Sequence, residues 1–458
     1  MVMPERTASL TAHRDAVERL IRSYAAIPKG TPPRLAKRTT NLFRFRAPTA
    51  AAGLPVRDLD RVLEVDPETR TAEVQGMTTY ERLVAATLPY GLMPYVVPQL
   101  KTITLGGAVT GLGIESTSFK DGLPHESVEE MEILTGDGRV VVARPDNEHA
   151  DLFRAFPNSY GTLGYALRLR IGLAPVKPYV RLTHIRFTDA DKCMLALQEI
   201  CERGEHDDGP ADFVDGTFFG PDEMYLTVGT FADRAPYTSD YTGMRIYYRS
   251  IRSRTRDWLT VHGYLWRWDT DWFWCSRAFG VQHPLVRALV PRRWLRSDVY
   301  RRLVGIDRRL GITARADRWL GRPPRETVIQ DIEVPVERGA EFLEFFHRQV
   351  GMTPVWMCPL KTTRHWPLYP LAPGRLYVNF GFWGMVPLPP GRQDGYYNRL
   401  IEETVHRLDG HKSLYSTSYY DREEFWRLYN GDAYWPVKRA YDPEGRLLDL
   451  YEKCVRAR

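Results

Sequence analysis

Residues 104–122, TLGGAVTGLGIESTSFKDG, place Gly106, Gly107, Gly111, Gly113 and Gly122 among small and hydroxyl side chains, with Glu115 near the middle. Glycine accepts positive φ and has no Cβ, so a run of this kind lets main-chain N–H groups wrap a phosphate or lie against a flat cofactor. An ordinary loop without a ligand is the competing reading. Two phosphate motifs are excluded directly. A Walker loop needs Gly-Lys-Ser/Thr, whereas GGAVTG continues with Leu112 and Gly113. A Rossmann fingerprint needs a third glycine where GLGIES has Ser116.

Upstream, RVLEVDPETRTAEVQGMTTYERLVAATLPYGLMP (61–94) predicts a strand, a turn at Asp66 and Pro67, a second strand, and a helix from about Thr79 to Leu88. Downstream, VEEMEILTGDGRVVVA (128–143) is a hairpin turning at Gly136, Asp137 and Gly138. Residues 149–176 then give a short helix, a second glycine-containing loop and a strand ending at Pro175. Strands and helices alternate beyond that proline, with a linker, strand and amphipathic helix over 321–350 and an alternating strand in GRLYVNFGFWG (374–384). The last segment, 411–454, is rich in helix formers and tyrosine, and no internal repeat is present.

The length of 458 residues exceeds one compact core, so two domains are expected. Five scattered cysteines without a Cys-x-x-Cys pair suggest neither a disulfide framework nor a zinc site, and a reducing compartment is expected. No metal site is expected. The first residues carry charges throughout, without the apolar core of a signal peptide. No apolar run approaches the ~20 residues of a spanning helix.

Charge is concentrated. Residues 245–325 hold 19 Arg, no Lys and 6 Asp, a net +13 against +6 for the whole chain, and seven of its twelve Trp, several in YLWRWDTDWFWCSRAF. Arginine with tryptophan suits an anionic membrane surface, where rings lie at headgroup depth and guanidinium groups meet phosphates. A packed aromatic domain with a solvated arginine face is the structural alternative, and nucleic acid is not expected as a partner.

The order strand and helix, then TITLGGAVTGLGIES, EILTGDGRVVVA and DLFRAFPNSYGTLGYALRLRI, resembles the FAD domain of the vanillyl-alcohol-oxidase (p-cresol methylhydroxylase, PCMH) flavoprotein superfamily. GLGIES (111–116), VDG (214–216), PVWMCP (354–359) and REEFW (422–426) are similar to the delta-24 sterol reductase branch, and more narrowly to actinobacterial 10-methylenestearoyl reductases of tuberculostearate synthesis. The resemblance implies an α+β, two-domain PCMH-type fold. An FAD-binding domain is expected over 1–175, a mixed α/β cap or substrate domain over 176–415, and a C-terminal helical segment over 416–458 that returns to the flavin. It also implies FAD contacts at Thr104, Gly106, Gly107, Gly111, Gly113, Glu115, Ser116 and Thr117, and, from the second loop, Ser159, Gly161, Thr162 and Gly164. Many relatives attach FAD through a histidine in the first loop. Residues 104–124 contain neither His nor Cys, so noncovalent FAD is expected. Sterol enzymes of animals begin with a membrane-spanning segment, which this sequence lacks, so the expectation is a cytoplasmic protein, peripheral on the inner face of the cell membrane.

The chemistry implied is NADPH- or NADH-dependent saturation of an isolated lipid C=C, with a 10-methylene acyl chain of a phospholipid as substrate. A lipid methyltransferase is then expected in the same pathway. Sterol side-chain delta-24 reduction, or flavin-dependent alcohol oxidation or dehydrogenation, are the alternatives. Protonation of such an alkene gives a tertiary cation that accepts hydride, so the site needs an acid, an apolar channel and aromatic faces. Glu115 is a candidate acid, or else a carboxylate capping neighbouring amides. Tyr419 and Tyr434 are candidate proton donors, or buried phenols with satisfied hydroxyls. Lys438 is a candidate counter-charge to reduced flavin, or a surface lysine, and His411 is a structural histidine in preference to a catalytic one.

Overall fold

The computed structural model describes residues 3–37, 40–44, 53–207 and 209–455. The first sheet contains β1 (Val62–Asp66), β2 (Thr71–Gln75), β3 (Leu92–Pro94), β4 (Val128–Leu134), β5 (Val140–Ala143) and β6 (Tyr165–Pro175). Its order is β1-β2-β6-β4-β5, with β3 on the end of β6, and every pairing is antiparallel. The alternation in β6 explains its central place. Leu167, Leu169, Ile171 and Leu173 are buried on one face. On the other, Arg168 bonds Glu73 of β2 together with Glu130 and Glu132 of β4, the last two at 2.7 and 3.2 Å. One guanidinium thus bridges both neighbouring strands. Helix α1 (Tyr80–Thr87) starts at Thr79, whose side chain accepts from Arg82 N.

The second sheet has eight strands: β7 (Tyr179–Phe187), β8 (Phe213–Gly220), β9 (Glu223–Ala232), β10 (Arg256–Thr260), β11 (Arg325–Pro335), β12 (Val355–Leu360), β13 (Tyr377–Pro387) and β14 (His411–Lys412). They lie in the order β10-β7-β9-β8-β12-β13-β11-β14, again all antiparallel. The period of two sorts the side chains between the faces. Val328, Ile332, Met357, Phe380 and Phe382 pack with Leu197, Phe342, Phe346 and Ile401 of the helices Ala190–Arg203, Gly339–Gln349 and Tyr396–Arg407. Ile329, Trp356, Cys358 and Trp383 take the opposite face and join the core that includes Val74, Leu105 and Tyr160 of the first domain. The fold is α+β in two domains. The C-terminal helix Gly431–Tyr441 packs back on Ala150–Ala155 of the first one.

The tryptophan run is core. Trp266, Trp268, Trp272 and Trp274 are buried, and Phe273 stacks on Trp268 at 4.8 Å and on Trp383 at 4.3 Å. The exposed apolar residues of the arginine-rich segment lie further on. They are Leu285, Val286, Leu289, Trp294, Leu303, Ile306, Leu310, Trp319 and Leu320.

The domains are tied by a buried charge. Arg267 Nη2 lies 3.2 Å from Glu115 Oε1 and 2.7 Å from Asp215 Oδ2 of β8, and all three residues are buried. Removing one partner of a buried ion pair costs about 3–5 kcal/mol because the remaining charge has no solvent. Arg267→Met, which strands two carboxylates, is therefore expected to lower unfolding free energy by at least ~3 kcal/mol in a denaturant titration. A loss below ~1 kcal/mol would show that the carboxylates find other partners.

Candidate active site

A cavity of about 1120 Å³ lies between the glycine-rich segment and the second sheet. It exceeds the ~300–1,000 Å³ of ordinary small-molecule sites, as an extended dinucleotide requires. One wall is the short helix α2 (Leu105–Gly111), capped by the Thr104 side chain, which accepts from Gly107 N. Gly106 N donates to Gly76 O at 2.9 Å, and a Cβ on Gly106 would come within 2.7 Å of that oxygen. The helix therefore lies flush on the end of β2. A Cβ on Gly113 would meet Pro124 and Pro98 at 2.9 and 3.0 Å. Gly164, at φ +142°, closes on Leu134 O, and Gly161 and Gly164 complete this glycine wall.

Basic side chains reach both glycine segments. Lys37 Nζ donates to Thr104 Oγ1 at 3.1 Å, and Lys453 Nζ donates to Gly161 O at 3.3 Å. Both lysines line the cavity, as do Asn41 and Arg44, whose guanidinium lies 4.6 Å over the Tyr160 ring. Asn41 Oδ1 and Gln99 Nε2 are buried on this wall without a protein partner. Buried polar atoms are ordinarily bonded, so they await a polar ligand. Glycines without Cβ atoms, paired lysines and orphan polar groups fit FAD, with its anionic pyrophosphate and polar flavin edge.

The opposite wall is aromatic: Trp272, Phe273, Trp356, Trp383 and Tyr415. One carboxylate joins it, Asp331 of β11. Burial pushes the Asp331 pKa up to about 7, against the pull of Asn379 and Tyr415 beside it. Asp331 sits opposite Gly381 in the ladder, where a Cβ would lie 2.5 Å from its Oδ1. Glycine at that position leaves room for the acid.

Of the residues singled out in sequence, Thr104, Gly106, Gly107, Gly111, Gly113, Gly161 and Gly164 line the cavity. Glu115, Ser116 and Thr117 turn away from it. Glu115 Oε1 accepts from Ser116 N and Oγ at 2.9 and 2.7 Å, Ser116 Oγ meets Tyr264 OH at 2.8 Å, and Thr117 Oγ1 donates to Tyr95 O. Glu115 is thus placed as a buried cap and ion-pair partner. Ser159 and Thr162 are buried beneath the second glycine loop, where Thr162 Oγ1 donates to Ser159 O.

Tyr419, Tyr434 and Lys438 also stand off the cavity wall. Tyr419 is half-buried against Gly395, and Tyr434 packs 4.8 Å from Trp426. Lys438 is buried, bonds Thr162 O and Leu447 O at 2.8 Å, and pairs with Asp442 at 2.7 Å. Its role here is to anchor the second glycine loop. His411 pairs in register with Glu333 on β11, and burial lowers its pKa to about 4.

Sequence reading missed Lys37, Asn41, Lys453, Tyr415 and Asp331. The last had a signal. In VIQDIEVP the period of two puts Asp331 and Glu333 together on the face opposite Val328, Ile332 and Val334, an arrangement without purpose in a purely structural strand.

Residues 21–144 match the family described as an FAD binding domain. The chain is 27% identical over 452 residues to the Delta(24)-sterol reductase of Arabidopsis thaliana, covering 87% of this chain and 75% of the plant protein. It is 27% identical over 421 residues to the Delta(24)-sterol reductase of Homo sapiens, covering 86% and 76%. A shorter match, 31% over 117 residues, is to cytokinin dehydrogenase 9 of Oryza sativa subsp. japonica, or 26% of this chain and 22% of that one.

Overpacking a closed contact costs about 1–3 kcal/mol. Gly106→Ala, which drives α2 off Gly76, is expected to weaken FAD binding roughly tenfold or more in a flavin-fluorescence titration. Unchanged affinity would separate that contact from the cofactor site. With the glycine wall, the lysines and the FAD-domain match in place, the chain is an FAD-dependent oxidoreductase.

Proposed function

We propose that the protein saturates an isolated C=C of a lipid with electrons from NADPH or NADH, and that its substrate is a 10-methylene fatty acyl chain in phospholipid, converted to the 10-methyl chain. The observation that carries this reading is the cavity wall facing the glycine helix: five large aromatic residues and one acid. Such a wall suits an apolar alkene that must be protonated to a tertiary cation, whose charge the ring faces tolerate. The name of the relatives, Delta(24)-sterol reductase, supports the same chemistry.

FAD, when bound noncovalently, supplies the hydride. The glycine wall with Lys37 and Lys453 would hold it, and neither His nor Cys lines the cavity among the described residues. The aromatic wall excludes water and orients the chain so that the branch carbon, where the cation is tertiary, takes the hydride.

A phospholipid is preferred over a sterol because of the surface beside the cavity. Leu285, Leu289, Trp294, Leu303, Ile306, Leu310 and Trp319 are exposed amid arginines at 292, 293, 302, 315, 318 and 322. Arg301, on helix α3 (Ser297–Leu310) of this surface, lies 5.5 Å over the ring of Phe43, which lines the cavity. An anionic headgroup would find cations at the mouth, and a sterol has no such group to offer. The reading accordingly has the protein in the cytoplasm, peripheral on the inner face of the membrane, and acting after a lipid methyltransferase that makes the methylene branch. The sterol side-chain reading rests on the relatives' names, and the alcohol oxidase or dehydrogenase reading on the shorter dehydrogenase match.

Flavin reduced anaerobically by NAD(P)H is expected to be reoxidised by phospholipid carrying a 10-methylene chain, with the hydride at C10 and a solvent hydrogen on the new methyl group. Reoxidation by a delta-24 sterol alone would favour the sterol reading, and reduction of the flavin by a simple alcohol would overturn reductase function.

Each Arg at a membrane surface contributes about 1 kcal/mol to anionic binding. The double variant Arg292→Gln/Arg293→Gln is therefore expected to bind phosphatidylglycerol vesicles roughly thirtyfold more weakly in sedimentation, with flavin content unchanged. Equal binding to neutral vesicles by the unmodified protein would remove the electrostatic part of the reading.

A further inference from the structure

We propose that Asp331 is the acid that protonates the substrate alkene. The assignment rests on the alkene-reductase reading above and adds the proton donor that reading requires.

Asp331 faces the cavity from the middle of β11, the position from which a proton can reach a substrate lying against Trp383 and Phe273. Its Oδ1 is buried and has no hydrogen-bond partner. A carboxylate left so, with that oxygen packed against Gly381, would be costly, whereas a neutral carboxylic acid is not. No arginine or lysine forms an ion pair with it among the described residues, unlike Glu115, which Arg267 holds. The ionisable groups around it are consistent with a neutral acid. Glu333, two residues along the same strand face, would be repelled by its negative charge. Tyr415 lies beside it from the segment after β14, and Tyr160 approaches from the first domain with Arg44 over its ring. His411, across from Glu333, is held neutral by burial.

The neighbours are poorer donors. Burial pushes the Tyr415 and Tyr160 phenols well above their ordinary range. Tyr160 OH is already spent on Gly111 O at 2.7 Å. Glu333 lies behind the wall, accepting from Ser413 Oγ at 3.2 Å and from Tyr369 OH. Tyr415 OH accepts from Trp383 Nε1 at 3.0 Å, which fixes that phenol beside Asp331 as a positioning group.

The step balances. The Asp331 O–H bond breaks and its proton forms a C–H bond with the π pair at the unsubstituted alkene carbon. The tertiary cation left on the branch carbon takes a hydride from reduced FAD, which is thereby oxidised by two electrons. Asp331 remains as carboxylate and recovers a proton from solvent before the next turnover.

The test follows alkene-dependent reoxidation of reduced flavin in Asp331→Asn and Asp331→Glu, with flavin content as the check on folding. Removing a general acid costs about 10²–10⁴-fold. Asp331→Asn is expected to slow reoxidation by at least ~100-fold and to leave flavin reduction by NAD(P)H within about threefold, while Asp331→Glu recovers part of the rate. In the unmodified protein the rate should be flat below pH 7 and fall tenfold per pH unit above it, since only the protonated acid reacts. An infrared carboxylic-acid band that titrates over the same range and is missing from Asp331→Asn would support the assignment independently of activity. Near-normal reoxidation by Asp331→Asn, or a carboxyl ionised throughout pH 5–9, overturns it. If neither the methylene lipid nor a delta-24 sterol reoxidises the unmodified protein, the alkene reading itself falls, and this assignment with it.

Discussion

Arg267 is a guanidinium buried away from water, and the geometry around the cavity hangs on how its charge is met. Its Nη2 meets Glu115, just past the glycine helix, and Asp215, on a strand of the second sheet. Its planar face lies 3.9 Å over Tyr264, the residue whose hydroxyl bonds Ser116. Asp215 also accepts from Trp356 Nε1 at 3.4 Å, and Trp356 lines the cavity. One buried cation thus sets the distance between the glycine wall and the aromatic wall. Neither carboxylate can swing free without leaving charge uncompensated in a low dielectric. The acid that looks most catalytic in sequence therefore works as architecture.

The cavity itself divides by chemistry. Glycines, lysines and unpartnered amide atoms gather on the first-domain side, where a cofactor with phosphates would lie. Tryptophan and phenylalanine gather on the sheet side, where an apolar chain would lie. Asp331 is the exception on that second side, and Gly381 opposite it shows the sheet giving up a side chain to accommodate it. Strand periodicity brings Asp331, Trp356 and Trp383 to this side, and a turn with Trp272 and Phe273 at φ 45° and 58° brings the other two rings. Alternate residues of β11, β12 and β13 either enter the helix-backed core or take the opposite face, from which Asp331, Trp356 and Trp383 reach the cavity.

Much of this was legible in the sequence where local rules govern. The glycine stretch, the hairpin through Gly136–Asp137–Gly138 and the helix capped by Thr79 follow from turn chemistry and capping, which act over a few residues. The tryptophan run was not legible in the same way. Composition says that Trp beside Arg suits an interface, but whether Trp274 meets lipid or Trp383 is decided by a strand more than a hundred residues away. Lys438 was visible as a lysine near the C-terminus, and its partners Thr162 O and Asp442 required the tertiary return of Gly431–Tyr441. Lys37 and Asn41 had no motif to mark them, because what they do depends on the surface they cover.

The arginine-rich segment shows how one stretch of chain can serve two environments. Its first part, through Trp274, supplies rings that close the cavity. Its second part, from Leu285 onward, turns comparable apolar content outward between arginines. On α3, Leu303, Ile306 and Leu310 recur at helical spacing on an exposed stripe, while Tyr300 of the same helix is buried and stacks on Phe279 at 5.5 Å. A helix anchored by one face and apolar on another is stable in water only as part of a larger surface, and it gains by meeting a second apolar phase. Because Arg301 of this helix also covers Phe43 at the cavity, a lipid held at that surface would have its headgroup near the cations and its chain a short distance from the aromatic wall. On the proposed reading, surface and cavity would meet successive parts of one molecule, a charged head and an apolar tail.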